Sequence, residues 1–348
     1  MTVKLVDPSR AEFTDGVSSS ELDALAANAA LKVLQTSEPV APSSWPLLDE
    51  AFFSRRPDVE LRLYGFYGQR CDLAFASGLR RVRRFAADCL MDAIGVEHVA
   101  RIPALESLSL DVFSLESFDV LRVVNPGLRS LALGQTRSKK PSLEPLSRFT
   151  GLRQLLIEGH RKDIEVLSVL RELEEVTLRS VTVTDLGFLR PLARLRSLDL
   201  KLGGIRNISA IAGMPSIKSL ELWQILGLVD VDVAGQLPGL QHLFLQSLRR
   251  VVALPDLSAA RSLRRVTLET MRGLRELAPL EHAPALEELL LLDPSPLAPE
   301  ALVPALRNGS LKRVAVGFGS DRKNEAAREL LKRHGKEEMK RMEFALKR

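Results

Sequence analysis

Three stretches decide the fold: Leu195-x-x-Leu198-x-Leu200, Ile217-x-x-Leu220-x-Leu222 and Leu240-x-x-Leu243-x-Leu245. Each sets aliphatic side chains at its first, fourth and sixth positions. The fourth and sixth alternate with period two, so they share one face of a short strand. The same hexapeptide, with Val or Ile substitutions, also begins at Leu105, Leu128, Leu152, Leu173, Leu263, Leu286 and Leu311, and successive starts lie 21 to 25 residues apart. One hexapeptide is weak evidence; ten in register define a structural repeat.

Between hexapeptides, apolar residues recur at every third position: Ile205, Ile208, Ile211 and Met214; Val251, Leu254, Leu257 and Ala260; Leu274, Leu277, Leu280 and Ala283. A period of three suits 3₁₀ turns or extended chain better than a long α-helix. No single repeat can bury both its strand stripe and this second stripe. Stacked repeats bury them in one core, each touching only its neighbours. The strands then form a parallel sheet with rungs ~4.8 Å apart.

Hexapeptide and spacing together resemble the leucine-rich repeat family over about residues 100–320. The resemblance implies an α/β fold: a right-handed solenoid with a curved parallel β-sheet on the concave face and 3₁₀ or short helical segments on the convex face, closed by N- and C-terminal caps. The repeats are of a bacterial type of about 22–23 residues, with one departure. The family often carries Asn or Cys nine positions into the repeat. Here those sites read Phe113, Thr136, His160, Val181, Gly203, Ile225, Leu248, Met271, Pro294 and Gly319. Apolar packing is expected to replace an Asn ladder at that corner.

The expected organisation has three parts. Residues 1–58 form an N-terminal helical cap, with helical spacing from Ser20 to Gln35, N-caps at Ser18–Ser20, and a break at Pro39, Pro42 and Pro46. Residues 59–320 form the solenoid, degenerate at first (Val59–Leu63; Leu79, Val82, Phe85) and regular from about Leu105. Residues 321–348 form a basic C-terminal helical cap from about Arg322, with Leu330, Leu331, Met339, Met342 and Leu346 apolar and Gly335 as a break. The near-constant spacing predicts one elongated body.

Composition fits a folded chain: 348 residues, 45 % apolar and 27 % charged, too apolar to stay solvated as a disordered coil. Of the net charge of +5, +4 falls in residues 321–348, so the body is near neutral. That argues against a nucleic-acid-binding surface as the main business. Two cysteines, no apolar leader after a basic start and no apolar run of membrane-spanning length predict a cytoplasmic protein with reduced thiols. The 36 arginines against 13 lysines hint at a GC-rich bacterial genome.

Signatures of catalysis, cofactors and metals are sparse. No phosphate loop or Gly-x-Gly-x-x-Gly occurs, and Gly317-Phe318-Gly319-Ser320 reads as a turn. His98, His160, His242, His282 and His334 lack metal spacing, with His160 and His242 expected on or near the strand face. Asp230 and Asp232 offer only two carboxylates, and Cys71 and Cys89 read as small core residues. No catalytic residue, cofactor or metal is therefore assigned.

The outward strand positions are more informative. Trp223 and Phe244 lie diagonally on adjacent strands, with Gln224, His242 and Gln246 around them and Glu158, Arg179, Lys201 and Glu221 along the same rows. Exposed large apolar groups with a polar rim mark contact surfaces. A basic edge of Lys139, Lys140 and Lys162, with Arg137 and Arg161, follows two successive strands and suits an acidic partner. The expected function is a non-enzymatic protein-protein interaction module, monomeric when unbound, holding a protein partner on its concave face. A bacterial immunity or antitoxin-like protein is one form of it. Neither a small-molecule substrate nor a membrane is expected. The alternatives are an effector or regulatory subunit of an enzyme, or nucleic-acid binding through the basic C-terminal tail.

Overall fold

The computed structural model describes residues 2–339. The chain divides into two compact units, Met1–Leu173 and Glu174–Arg348.

In the first unit, Val3–Asp7 pairs antiparallel with Arg10–Phe13. From there the pairing is parallel, through Val33–Thr36, Glu60–Tyr64, Arg84–Leu90, Ser107–Val112, Ser130–Leu133 and Gln154–Glu158. A small parallel pair, Cys71–Asp72 with Ala93–Ile94, lies outside this sheet. The two early repeats read from Val59 and Leu79 therefore do supply strands.

Residues 1–58 hold more strand than expected. Their nine-residue helix, Ser19–Ala27, is capped by Ser18 and Glu21 in a reciprocal box, but it ends at Asn28 instead of running to Gln35. Val33–Thr36 is a strand because Lys32 and Val33 donate to the Ser9 carbonyl, which lines Leu34 up with Ala11 and Leu61 in one core row. Trp45 stacks on Phe75 with ring centroids 3.7 Å apart and meets Phe13 edge-on, filling the space beside that row.

The second unit repeats with tighter regularity. Glu175–Arg179, Ser197–Lys201, Ser219–Trp223, His242–Gln246, Arg265–Glu269, Glu288–Leu292 and Arg313–Gly317 pair in parallel, position for position. Leu198, Leu220, Leu243, Val266, Leu289 and Val314 form one buried row. At the head of each strand, two successive N–H groups share one carbonyl of the previous repeat: Lys218 and Ser219 donate to Arg196, Gln241 and His242 to Lys218, and Arg264 and Arg265 to Gln241. Between strands run 3₁₀ turns such as Ser209–Ile211 and Ala278–His282, which match the period-three pattern, while residues 251–260 form neither helix nor strand.

At the ninth-position corner Val181, Ile225, Leu248 and Met271 are buried, so apolar contacts stand where an Asn ladder would. The residue just before each, and Leu202 before Gly203 at the same corner, has positive φ: Ser180, Leu202, Gln224, Ser247 and Thr270. Its N–H donates to the last strand residue of the next repeat, for example Gln224 to the Gln246 carbonyl at 2.8 Å. One left-handed residue per repeat thus turns the chain while the backbone ladder stays satisfied.

At the C-terminal end, helix Asp321–Arg333 stops at His334, Gly335 is left-handed, and Glu337–Glu338 pairs with Arg313–Gly317. Met339, expected on the helix, lies instead at the end of this last strand, because Gly335 reverses the chain before it. Met342 and Leu346 lie outside the described residues. Among the described residues no helix is long and apolar enough to cross a membrane.

Candidate interaction face

The outward face of the second unit follows from the register. Glu221 stands beside Phe244, and Trp223 beside Gln246, so the two aromatic residues are diagonal neighbours on adjacent strands. Both rings are half-buried, and Gln224 beyond Trp223 is exposed. In the middle row Phe244 is followed by Thr267, Leu290 and Ala315, all three buried. Met339 packs on Leu290 and Ala315, with Leu292 against them. An apolar stripe, interrupted by Thr267, therefore runs from Trp223 to Met339; Leu290, Ala315 and Met339 are already buried, and only Trp223, Phe244 and Leu292 keep accessible surface. Strand alternation marks Leu290 and Leu292 as outward positions, but their cover, Met339, reaches them only because Gly335 turns the chain back.

The charged residues beside the stripe are paired. Lys201 Nζ lies 3.4 Å from Asp199 and 3.3 Å from Glu221. Burial, and then the Glu221 charge, raises the Asp199 carboxyl above its ordinary range despite Lys201. Buried Glu288 is shared by Arg265, at 2.7 Å, and Arg313. His242 is half-buried in register with Arg265, and burial followed by that guanidinium lowers its pKa. Ion pairs already made on the sheet would add little to a partner's affinity. Arg179 is half-buried on the first strand of this unit.

The first unit carries a polar face. Glu12 accepts from Tyr64 Oη at 3.0 Å and Ser37 Oγ at 2.8 Å. Arg62 donates to Gln35 and Asp88 and lies over the Tyr64 ring, 4.7 Å from its centroid. Asp88, Cys89 and Asp111 bring their oxygen and sulfur atoms within 4.8 Å of one another, close enough to share an ion. Arg62 already neutralises Asp88, however, and burial with the neighbouring Asp88 and Asp111 pushes the Cys89 thiol up to about 11, so it stays protonated. Cys89 is exposed, a correction to the core reading made for it; the strand bulges there and turns its side chain outward, while Cys71 is buried. Alternation with buried Leu110 and Val112 marks Asp111 as an outward position, whereas the bulge that brings Cys89 to it leaves no mark in the sequence. Glu158 is half-buried at the end of the last strand of this unit.

Lys139, Lys140 and Lys162 are exposed, and the Leu143 N–H donates to the Lys162 carbonyl at 3.0 Å, which ties the two basic loops together. His160, expected on or near the strand face, is buried in the turn below them: its Nε2 lies 3.2 Å from the Gly134 carbonyl and its ring meets Phe118 edge-on. It stands at the ninth-position corner, where the chain turns inward.

No family model and no curated protein matches the chain. Solved structures do. An internalin of Listeria monocytogenes is 16 % identical with a TM-score of 0.50, over 78 % of this chain and 88 % of that one. A leucine-rich repeat protein of Leptospira interrogans is 16 % identical with a TM-score of 0.46, over 89 % and 90 %. The leucine-rich repeat domain of the type III effector XopL is 21 % identical with a TM-score of 0.47, over 62 % and 73 %. With the parallel strands and 3₁₀ turns, the internalin likeness defines the fold class: this is a leucine-rich repeat fold.

Proposed function

We propose that the chain is a non-enzymatic module that holds a protein partner on its outward sheet face, with Trp223 and Phe244 as anchors. The observation that carries this reading is the pair of half-buried rings, Trp223 and Phe244, on adjacent strands, bordered by charges that already pair with one another. A partner side chain laid on the rings removes apolar area from water without stripping any unpaired charge. The finer role, a bacterial immunity or antitoxin-like protein of the cytoplasm, rests on the sequence expectation; growth rescue against a co-encoded toxin tests it. For the module itself the test is affinity capture from the native cell with mass spectrometry, then binding of the purified partner to a Trp223→Ala/Phe244→Ala variant. Undiminished affinity with an intact circular dichroism spectrum moves the interface elsewhere.

A further inference from the structure

We infer that the loops leaving four successive strands of the second unit form a docking edge for an acidic segment of a protein partner, one that also carries aliphatic side chains. The inference rests on the interaction-module reading and names the partner's chemistry. Residues 202–208, 224–229, 247–255 and 270–275 contain five arginines, Arg206, Arg249, Arg250, Arg272 and Arg275, and neither Asp nor Glu. All five are exposed, and none is in an ion pair among the described residues.

The first of these loops touches the second, and the third touches the fourth. Arg275 N–H donates to the Val252 carbonyl at 3.1 Å, and Leu226 N–H to the Gly203 carbonyl at 2.8 Å. A Cβ on Gly273 would fall 2.6 Å from the Arg249 carbonyl oxygen, and one on Gly227 would fall 3.4 Å from the Arg206 stem. On the same loops, Leu226, Val229 and Val252 are 67 %, 47 % and 53 % exposed. The next carboxylates along the chain, Asp230, Asp256 and Glu276, make no ion pair with these arginines among the described residues, and Asp256 accepts from the Ser258 N–H.

Like charges gathered on touching loops repel one another, and exposed aliphatic groups gain nothing from water. A carboxylate-bearing segment with aliphatic side chains satisfies both. Trp223 and Gln224 stand at the head of one of these loops, so the edge continues the aromatic end of the stripe. Nucleic acid fits worse, because the four stretches contain no aromatic residue for base stacking and would set three aliphatic side chains against phosphates.

The test is a random peptide display library selected against the full chain, with affinities of the enriched peptides read by fluorescence anisotropy at low and high salt. Peptides that combine Asp or Glu with Leu, Ile or Val are expected. They should bind a variant carrying Arg249→Glu, Arg250→Glu, Arg272→Glu and Arg275→Glu at least about 30-fold more weakly, and lose most of their salt dependence. Replacing the same four by Lys, or reversing Arg249 and Arg250 alone, keeps the answer readable should the fourfold reversal disturb the fold: the lysine variant should hold most of the affinity and the double reversal lose at least about tenfold. Failure to enrich any peptide, peptides without acidic bias, equal binding to the reversed variants, or selective salt-dependent binding of a short DNA duplex instead would each overturn the proposal. Loss on charge reversal without loss on Trp223→Ala/Phe244→Ala supports the edge and sinks the sheet-face reading; the converse sinks the edge alone.

Discussion

Trp223 and Phe244 face outward from strands whose inward residues, Leu222 and Leu245, are fully buried. Truncating an outward ring leaves that core row intact, so Trp223→Ala and Phe244→Ala should each lower the melting temperature little. Partner affinity should fall by about tenfold or more for each, since an aromatic anchor in an interface contributes about 2 kcal/mol. Lys201→Ala is the contrasting substitution. Its ammonium is already held by Asp199 and Glu221, so it should change affinity by less than about threefold. Isothermal titration calorimetry on the three variants separates these outcomes; equal losses from all three would remove the special role of the rings.

At the scale of the element, the repeat depends on close approach between neighbours. Gly203 lies in the turn after Ser197–Lys201, and a Cβ there would stand 2.2 Å from the Val181 carbonyl oxygen of the preceding repeat. Backbone cannot yield as a side-chain tip can. Gly203→Ala should therefore destabilise the fold by about 1–3 kcal/mol, read as a shift in the urea midpoint. Leu220 occupies the inward row between Leu198 and Leu243. Leu220→Asp buries a charge with no counter-ion among aliphatic side chains, and should cost about 3–5 kcal/mol or prevent folding altogether. A melting temperature equal to that of the parent would contradict the inward assignment. These two positions also show what was readable at this scale. The leucine row was plain in the alternation. The tight glycine was visible only as a departure from the family's Asn position, because the carbonyl it must avoid belongs to another repeat.

For the molecule as a whole, acid should weaken the fold in a defined window. Burial holds the pKa of His160 and of His242 below the ordinary imidazole value of 6.5. Above that value both folded and unfolded chains carry neutral imidazoles, and the stabilisation is fully present. Below it the unfolded chain takes up protons that the folded chain does not, so stability is lost as pH falls through the folded values. Glu60, Asp111 and Asp199 act in the opposite sense, and lower down: their carboxyls are raised by burial, so the folded chain binds those protons first and gains relative stability as pH drops through the raised values. Melting temperature should therefore fall as pH drops below the ordinary imidazole value of 6.5. A His160→Gln/His242→Gln variant should lose most of that slope, whatever its absolute stability. An unchanged slope would assign the acid sensitivity to other groups.

The sequence by itself determined the leucine-rich repeat, its period, the inward row and the outward position of Trp223 and Phe244. Alternation and spacing are local, and ten copies make them unambiguous. Only the tertiary structure decided that Val33–Thr36 is a strand, that Met339 covers Leu290 and Ala315, and that Cys89 is outside while His160 is inside. It also decided that the loop carrying Arg249 and Arg250 and the one carrying Arg272 and Arg275 touch. Each of these depends on which residue of a neighbouring repeat arrives beside it, and a register between segments more than twenty residues apart is set by hydrogen bonds and packing that no short window of sequence contains.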